Sequence, residues 1–167
     1  IKANNDYTEL EEVVIAVLDT GIDTDHPWFK NRLLTDEEGK YVGLGTDTTY
    51  ESTTEYAFED DQGHGTHCAG IICDMTLPNV KILPIKFIYL DEKGEGVGLS
   101  SGVQSAMEYI IEMKKLYNIV AVNMSFGGES DSVNLCPEVI KNAYQDEIFS
   151  VVAAGNDRNE DGSNEAE

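Results

Sequence analysis

Two residues are of types, and in settings, that could do acid–base chemistry together. Asp19 follows the apolar run Val13-Val-Ile-Ala-Val-Leu18, and His64 lies between glycines in Asp60-Asp-Gln-Gly-His-Gly-Thr-His-Cys-Ala-Gly70. Acyl transfer by an activated hydroxyl needs a base to take the nucleophile's proton. It also needs a carboxylate to hold that base in one tautomer, and donors for the oxyanion. A carboxylate at the end of a buried strand is costly unless hydrogen-bonded, which fits Asp19 for the second role. The plainer reading is that Asp19 ends a strand in a turn. Glycines beside His64 permit close backbone approach. His64 and His67 could form a metal pair, but their i, i+3 spacing lacks the i, i+4 pattern with an intervening glutamate seen in zinc proteases. His67 is therefore read as a structural, hydrogen-bonded helix residue.

The elements that must position these residues alternate in type. The run at 13–18 is continuous and β-branched, as in a parallel strand buried on both faces. Residues 23–63 read as a loop, long enough to hide short strands. His64–Cys73 suits a buried helix, and Val80–Leu90 a second strand interrupted at Pro84. Gly94–Gly98 reads as a loop, followed by a helix capped by Ser100 or Ser101. Its apolar face is Val103, Ala106, Met107, Ile110 and Ile111. Ile119–Met124 is a third strand. Pro137 opens another helix, with Val139, Ile140, Ala143 and Tyr144 on one face, and Ile148–Ala153 is a fourth strand. Alternating strands and helices predict an α/β fold, a three-layer sandwich around a mostly parallel sheet. Ligands bind such sheets at the carboxyl ends of the strands. Asp19, Ser125-Phe-Gly-Gly128 and Gly155-Asn156 all follow strand ends and His64 begins a helix, so all can converge on one edge.

The 167 residues fit one domain, divided into a lead (1–12), a core (13–156) and an acidic surface loop (157–167). Eleven basic residues face 32 acidic ones, a net charge of −21. Such a surface repels nucleic acid and anionic membranes and attracts cations or basic peptides. No stretch approaches the ~18 apolar residues of a membrane span, and the first twelve residues lack the pattern of a signal peptide. Cys68, Cys73 and Cys136 are odd in number and form neither a disulfide framework nor a good zinc set. Cys68 is expected to be a small buried residue one turn after His64, and a free thiol there would make an enzyme sensitive to thiol reagents.

The surrounding residues resemble the subtilisin-like serine proteases. Ala16-Val-Leu-Asp-Thr-Gly-Ile-Asp23 is similar to their aspartate motif. Gly63-His-Gly-Thr-His-Cys-Ala-Gly70 is similar to their histidine motif, in its cysteine-containing form. Val122-Asn-Met-Ser-Phe-Gly-Gly128 resembles the strand and turn that wall the S1 pocket, and Val151-Val-Ala-Ala-Gly-Asn156 the segment ending in the oxyanion asparagine. All four occur in the family's order over residues 13–156. Subtilisin is itself a type case of this triad, so the mechanism comes with the resemblance. The resemblance implies a serine endopeptidase acting on peptides or proteins. Asp19 would orient His64, which would serve as general base and then acid, and Asn156 would donate to the oxyanion. Losing that donor costs about 10²–10³ in turnover, a figure taken from subtilisin. Ser125, Phe126 and Gly127 would line one side of S1, and Ala153, Ala154 and Gly155 the other. Gly94, Glu95 and Gly96 resemble the extended segment that pairs with substrate, or else form an ordinary glycine turn. The family also implies a secreted protein.

The sequence departs from the family in two places. The motif bearing the nucleophilic serine is missing: Ser125 belongs to the pocket wall, Ser100, Ser101 and Ser105 to a helix start, and Ser163 to the acidic tail. The expected fold is therefore incomplete at its C-terminal end. The serine is expected from a downstream segment or from a C-terminal half present as a second chain. The alternative is an inactive subtilase-like domain that binds peptides without cutting them. The calcium loop after the histidine helix is also absent, because Cys73-Asp-Met-Thr-Leu-Pro78 leads almost directly into the next strand. Asp23, Asp25, Asp47 and Asp60 could hold Ca²⁺ elsewhere, but a carboxylate count without ligand spacing assigns no metal site. The acidic surface and Glu95 point to tolerance of basic residues near the cleaved bond.

Overall fold

A computed structural model describes residues 10–46, 57–127 and 137–156. Asp47, Gly128, Cys136 and Ser163, and the tail at 157–167, lie outside the described residues. The strands are β1 (Val13–Asp19), β2 (Leu44–Gly45), β3 (Val80–Lys86), β4 (Ile88–Leu90), β5 (Gly96–Gly98), β6 (Ile119–Met124) and β7 (Phe149–Val152). The helices are α1 (His64–Met75), α2 (Ser100–Met113) and α3 (Pro137–Gln145), with a 3₁₀ turn at Pro27–Phe29. Five strands form a sheet in the order β2-β3-β1-β6-β7, and every pairing in it is parallel.

The three expected layers follow from period-2 alternation along β1. Val14, Ala16 and Leu18 point to one face, where they meet Val103, Ala106, Met107 and Ile110 of α2 and Val139 and Ala143 of α3. Val17 points to the other, where it meets Ala69 and Cys73 of α1 together with Ile22, Phe29 and Ile82. Both faces of β1 are thus covered, which is why its sequence is continuously apolar rather than alternating. Arg32 fixes the far end of α1: its guanidinium donates to the carbonyls of Cys73 (2.9 Å) and Val80 (3.0 Å) and to the Thr76 hydroxyl (2.7 Å).

Three local expectations are corrected. The expected strand at 80–90 is two strands. β3 ends at Lys86, and β4 turns away to pair with β5 as an antiparallel hairpin, so the glycine segment is partly strand. Pro84 does not interrupt β3; it lies level with Val17 of β1. Ile82 bonds the 32–34 segment through both N–H and C=O, and the Lys86 carbonyl accepts from Thr46. Pro84, in phase with both, turns its missing N–H toward that side, between the Leu33 bridge and β2, where no ladder bond falls. Finally, neither serine caps α2. Leu99 holds the cap position in extended backbone, with no side-chain cap bond, and its carbonyl accepts from Gly102 and Val103. The expected hidden structure within 23–63 is present as the 3₁₀ turn, β2 and isolated bridges at Leu33, Thr35 and Glu59.

Candidate active site

Asp19 is the last residue of β1, and none of it reaches solvent. Its Oδ1 accepts from the Thr20 N–H at 2.8 Å and meets His64 Nδ1 at 2.7 Å. Its Oδ2 is buried without a partner among the described residues. A carboxylate oxygen accepts, so Nδ1 carries the proton, and in the neutral ring the other nitrogen, Nε2, then keeps its lone pair. The His64 side chain is 47% exposed, against 1% for Asp19. A buried acceptor thus fixes one edge of a ring whose other edge can meet a reacting group.

His64 is placed by the way α1 begins. Gly63 occupies the cap position in left-handed backbone (φ 103°) and offers no side chain. Asp60 supplies the missing acceptors. Its Oδ1 accepts from the N–H groups of Gln62 (3.0 Å) and Gly63 (2.9 Å), and its Oδ2 from the Thr66 N–H (3.0 Å) and hydroxyl (2.5 Å). Partial burial pushes the Asp60 pKa up, but the bonds from Gly63, Thr66 and Gln62 together hold it below its ordinary value. Gln62 Oε1 accepts from the His64 N–H at 2.9 Å.

The helix start is also tied to the turn after Asp19. The Gly65 N–H donates to Thr20 Oγ1 (2.8 Å) and the Asp23 N–H to Thr66 Oγ1 (3.0 Å). A Cβ on Gly65 would lie 2.3 Å from the Gly21 carbonyl oxygen. Only glycine lets the backbones approach this closely.

Cys68 differs from its expected role as core filler. It is half-buried, and its Sγ lies 3.8 Å from His64 Nδ1. Burial pushes its thiol pKa up, and the charge of Asp19 adds to this. Ligating atoms of Asp19, His64 and Cys68 lie within 4.8 Å of one another, a donor set for a thiophilic cation. A cation there would compete with the Asp19–His64 bond. Two carboxylates considered for Ca²⁺ already serve turns: Asp60 as above, and Asp23, whose Oδ1 accepts from the Asp25 N–H. His67 is exposed, and its ring makes no hydrogen bond among the described residues, which corrects its expected structural role.

The remaining strand-end candidates lie at the same carboxyl end of the sheet, at greater remove. Ser125, Phe126 and Gly127 follow β6, the neighbour of β1. The Ser125 hydroxyl donates to Asn123 Oδ1 at 3.2 Å, and the Phe126 ring stacks at a tilt on Phe87 with centroids 4.4 Å apart. Ala153, Ala154, Gly155 and Asn156 follow β7, two strands from β1. Gly155 has φ 85°, and Asn156 is exposed. Gly94 and Glu95 lie in the β4–β5 turn, closed by Asp91 Oδ1 accepting from Lys93 (2.8 Å) and Glu95 (2.9 Å), and Gly96 opens β5. Ser100, Ser101 and Ser105 lie in α2, which packs on the face of the sheet opposite α1. Two participants escaped the sequence reading. Asp60 could have been found as an acidic residue just ahead of a helix start. Lys86, fully buried beside Asp19, is marked only by a basic residue inside an apolar strand.

Comparisons with known proteins identify the family and the fold. The chain is 33% identical over 156 residues to the major intracellular serine protease of Bacillus subtilis, covering 88% of this chain and 44% of that one. It is 33% identical over 157 residues to a cuticle-degrading protease of Metarhizium anisopliae, covering 90% and 35%. Among solved structures, the S41 psychrophilic protease superposes with a TM-score of 0.66 at 25% identity, over 90% of this chain and 48% of that one. Sphericase, at 24% identity and a TM-score of 0.66, shares the fold. The chain therefore spans less than half the length of these relatives. The profile of the subtilase family of S8 peptidases matches residues 11–167, and the chain belongs to that family.

Proposed function

We propose that this chain supplies the acid–base half of a serine endopeptidase. The observation that carries the reading is the 2.7 Å contact between His64 Nδ1 and the buried Asp19 carboxylate. Asp19 holds the ring with Nε2 free to take a proton from a serine hydroxyl. The hydroxyl oxygen then attacks the peptide carbonyl. The imidazolium formed, stabilised by Asp19, returns the proton to the leaving amine. Asn156 donates to the oxyanion. Ser125–Gly127 and Ala153–Gly155 flank the side chain before the cleaved bond, and Gly96 leads the strand that pairs with the substrate backbone. The serine comes from polypeptide beyond this sequence, in the same chain or in a second one. Two observations support this. The relatives are more than twice as long as the matched region. And β7, at the sheet edge, leaves Phe149, Val151 and Val152 between 47% and 63% exposed, an apolar edge that further structure would cover.

The relatives include one named as intracellular and one named for degrading cuticle, so family membership fixes no location. Among the described residues no helix is long and apolar enough to cross a membrane.

The test is labelling with a serine-directed phosphonate probe on the longest natural polypeptide that carries this chain. Covalent labelling of a serine outside residues 1–167, lost in a His64→Ala variant, is the expected result. A folded, full-length protein that neither labels nor cleaves peptides would refute proteolysis and leave a peptide-binding domain.

A further inference from the structure

Lys86 ends β3 level with Asp19 in the adjacent strand, and no part of it reaches solvent. Its ammonium donates to the Thr20 carbonyl at 2.7 Å and to Asp61 Oδ1 at 2.7 Å, and sits 5.0 Å from the centroid of the Tyr89 ring. Thr20 is the residue after Asp19, and Asp61 comes three before His64. One buried cation thus grips both arms of the acid–base pair, at points that do no chemistry themselves. Stability is a poor reason to keep it. Burying an ammonium is expensive, and replacing a buried ion pair by apolar side chains of similar volume is often neutral or stabilising.

We propose that Lys86 is a positioning residue, a buried strut that fixes the separation between the strand end carrying Asp19 and the loop leading into His64. This rests on the reading of Asp19 and His64 as the acid–base pair. The strut complements the ties already described. Thr20 Oγ1 and Asp60 hold the start of α1 by its backbone, whereas Lys86 holds the loop before it through Asp61. An apolar residue at this position breaks both bonds, to the Thr20 carbonyl and to Asp61, and the His64 ring then drifts from Asp19.

The test compares wild type, Lys86→Met and Asp61→Asn in the longest natural polypeptide. The first readout is the strongly deshielded proton resonance of His64 Nδ1 hydrogen-bonded to Asp19, which needs no activity. In folded K86M it is expected to move upfield or vanish into exchange with water. Peptide hydrolysis is the second readout, with kcat falling at least ~10-fold and KM holding within about twofold, since roughly 1 Å of misplacement costs up to about 10²-fold. D61N should show the same changes to a smaller degree. A folded K86M with the resonance in place and kcat within about twofold of wild type overturns the proposal. If K86M does not fold, D61N decides: an unmoved resonance overturns the strut, and a moved one supports it. A wild-type protein that cleaves nothing refutes the proteolytic reading alone, because the resonance still reports on Lys86.

Discussion

Substituting alanine at Gly65 sets two opposed effects against each other. Gly65 lies in the first turn of α1 with ordinary helical backbone, so propensity alone favours alanine by about 1 kcal/mol. The new Cβ, however, would meet the Gly21 carbonyl oxygen at 2.3 Å and the Gly21 nitrogen at 3.1 Å. The first contact is roughly 1 Å short of ordinary van der Waals distance. Both neighbours are backbone and cannot rotate away, so the helix start must retreat from the turn after Asp19. Overpacking of this kind costs up to about 3 kcal/mol, and the 2.8 Å bond from the Gly65 N–H to Thr20 stretches with it. The net is a loss of about 2 kcal/mol, or roughly 5 °C in melting temperature for a protein of this size. The retreat also carries His64 away from Asp19, and a displacement near 1 Å costs on the order of 10² in rate. Gly70, in the same helix, is the control. A Cβ there meets only the Trp28 ring, at 3.5 Å, so Gly70→Ala should hold or gain stability. Thermal unfolding and peptide hydrolysis by the full-length protein read both variants. If G65A melts at or above wild type and cleaves within about twofold of it, the close approach does not position His64.

Two further substitutions probe the surroundings. Asp60→Asn keeps one carbonyl acceptor but removes the charge that assists the bonds from Gln62, Gly63 and Thr66, and should cost about 1 kcal/mol at neutral pH, the usual excess of a charged over a neutral hydrogen bond. Because the folded protein holds the Asp60 pKa below its ordinary value, that contribution is complete above the unfolded carboxylate pKa and is lost as pH falls through the lower folded value. Chemical denaturation at several pH values should therefore show the gap between wild type and D60N closing in acid, and a constant gap would contradict the capping role. Cys68, with its thiol pKa raised, should alkylate with iodoacetamide more slowly than a free thiol near neutrality and faster as pH climbs past the ordinary thiol range. The adduct, beside His64, should abolish hydrolysis; full activity after modification confirmed at Cys68 by mass spectrometry would show the thiol to be irrelevant.

The parts of this fold that were legible are those whose burial is uniform. β1 is covered on both faces and reads as an unbroken apolar run, and α2 repeats its apolar residues at helical spacing. Asp19 and His64 stood out because each is a titratable residue beside apolar strand or glycine, where only a specific partner justifies it. What failed depended on contacts distant in sequence. Pro84 was read as an interruption because its tolerance depends on which neighbour its missing N–H would face, and that is set by the 32–46 segment. Lys86 passed unnoticed because lysines on strands usually face water, and its partners Thr20 and Asp61 lie 66 and 25 residues away. Cys68 was placed in the core by its helical spacing, yet that same spacing puts its sulfur 3.8 Å from His64 Nδ1.

The two halves of the proposed machinery are held very differently. The acid–base half is anchored in the interior, although the His64 side chain itself is 47% exposed. Asp19, Thr20 and Lys86 are buried, and Asp60, Thr66, Gly65 and Gln62 link the arms through bonds that stay within residues 19–86. The oxyanion asparagine and one pocket wall follow the edge strand, where Ala153, Ala154 and Asn156 are exposed and, among the described residues, β7 has only β6 beside it. Their position depends on whatever covers that edge. An edge strand with exposed Phe149, Val151 and Val152 has few buried contacts to resist local opening. Hydrogen exchange should therefore separate the halves. The amides of β1 and the start of α1 should exchange only with global unfolding, while β7 should open first unless more polypeptide is docked against it. Equal protection of β7 and β1 in residues 1–167 alone would show that the edge stands without a cover.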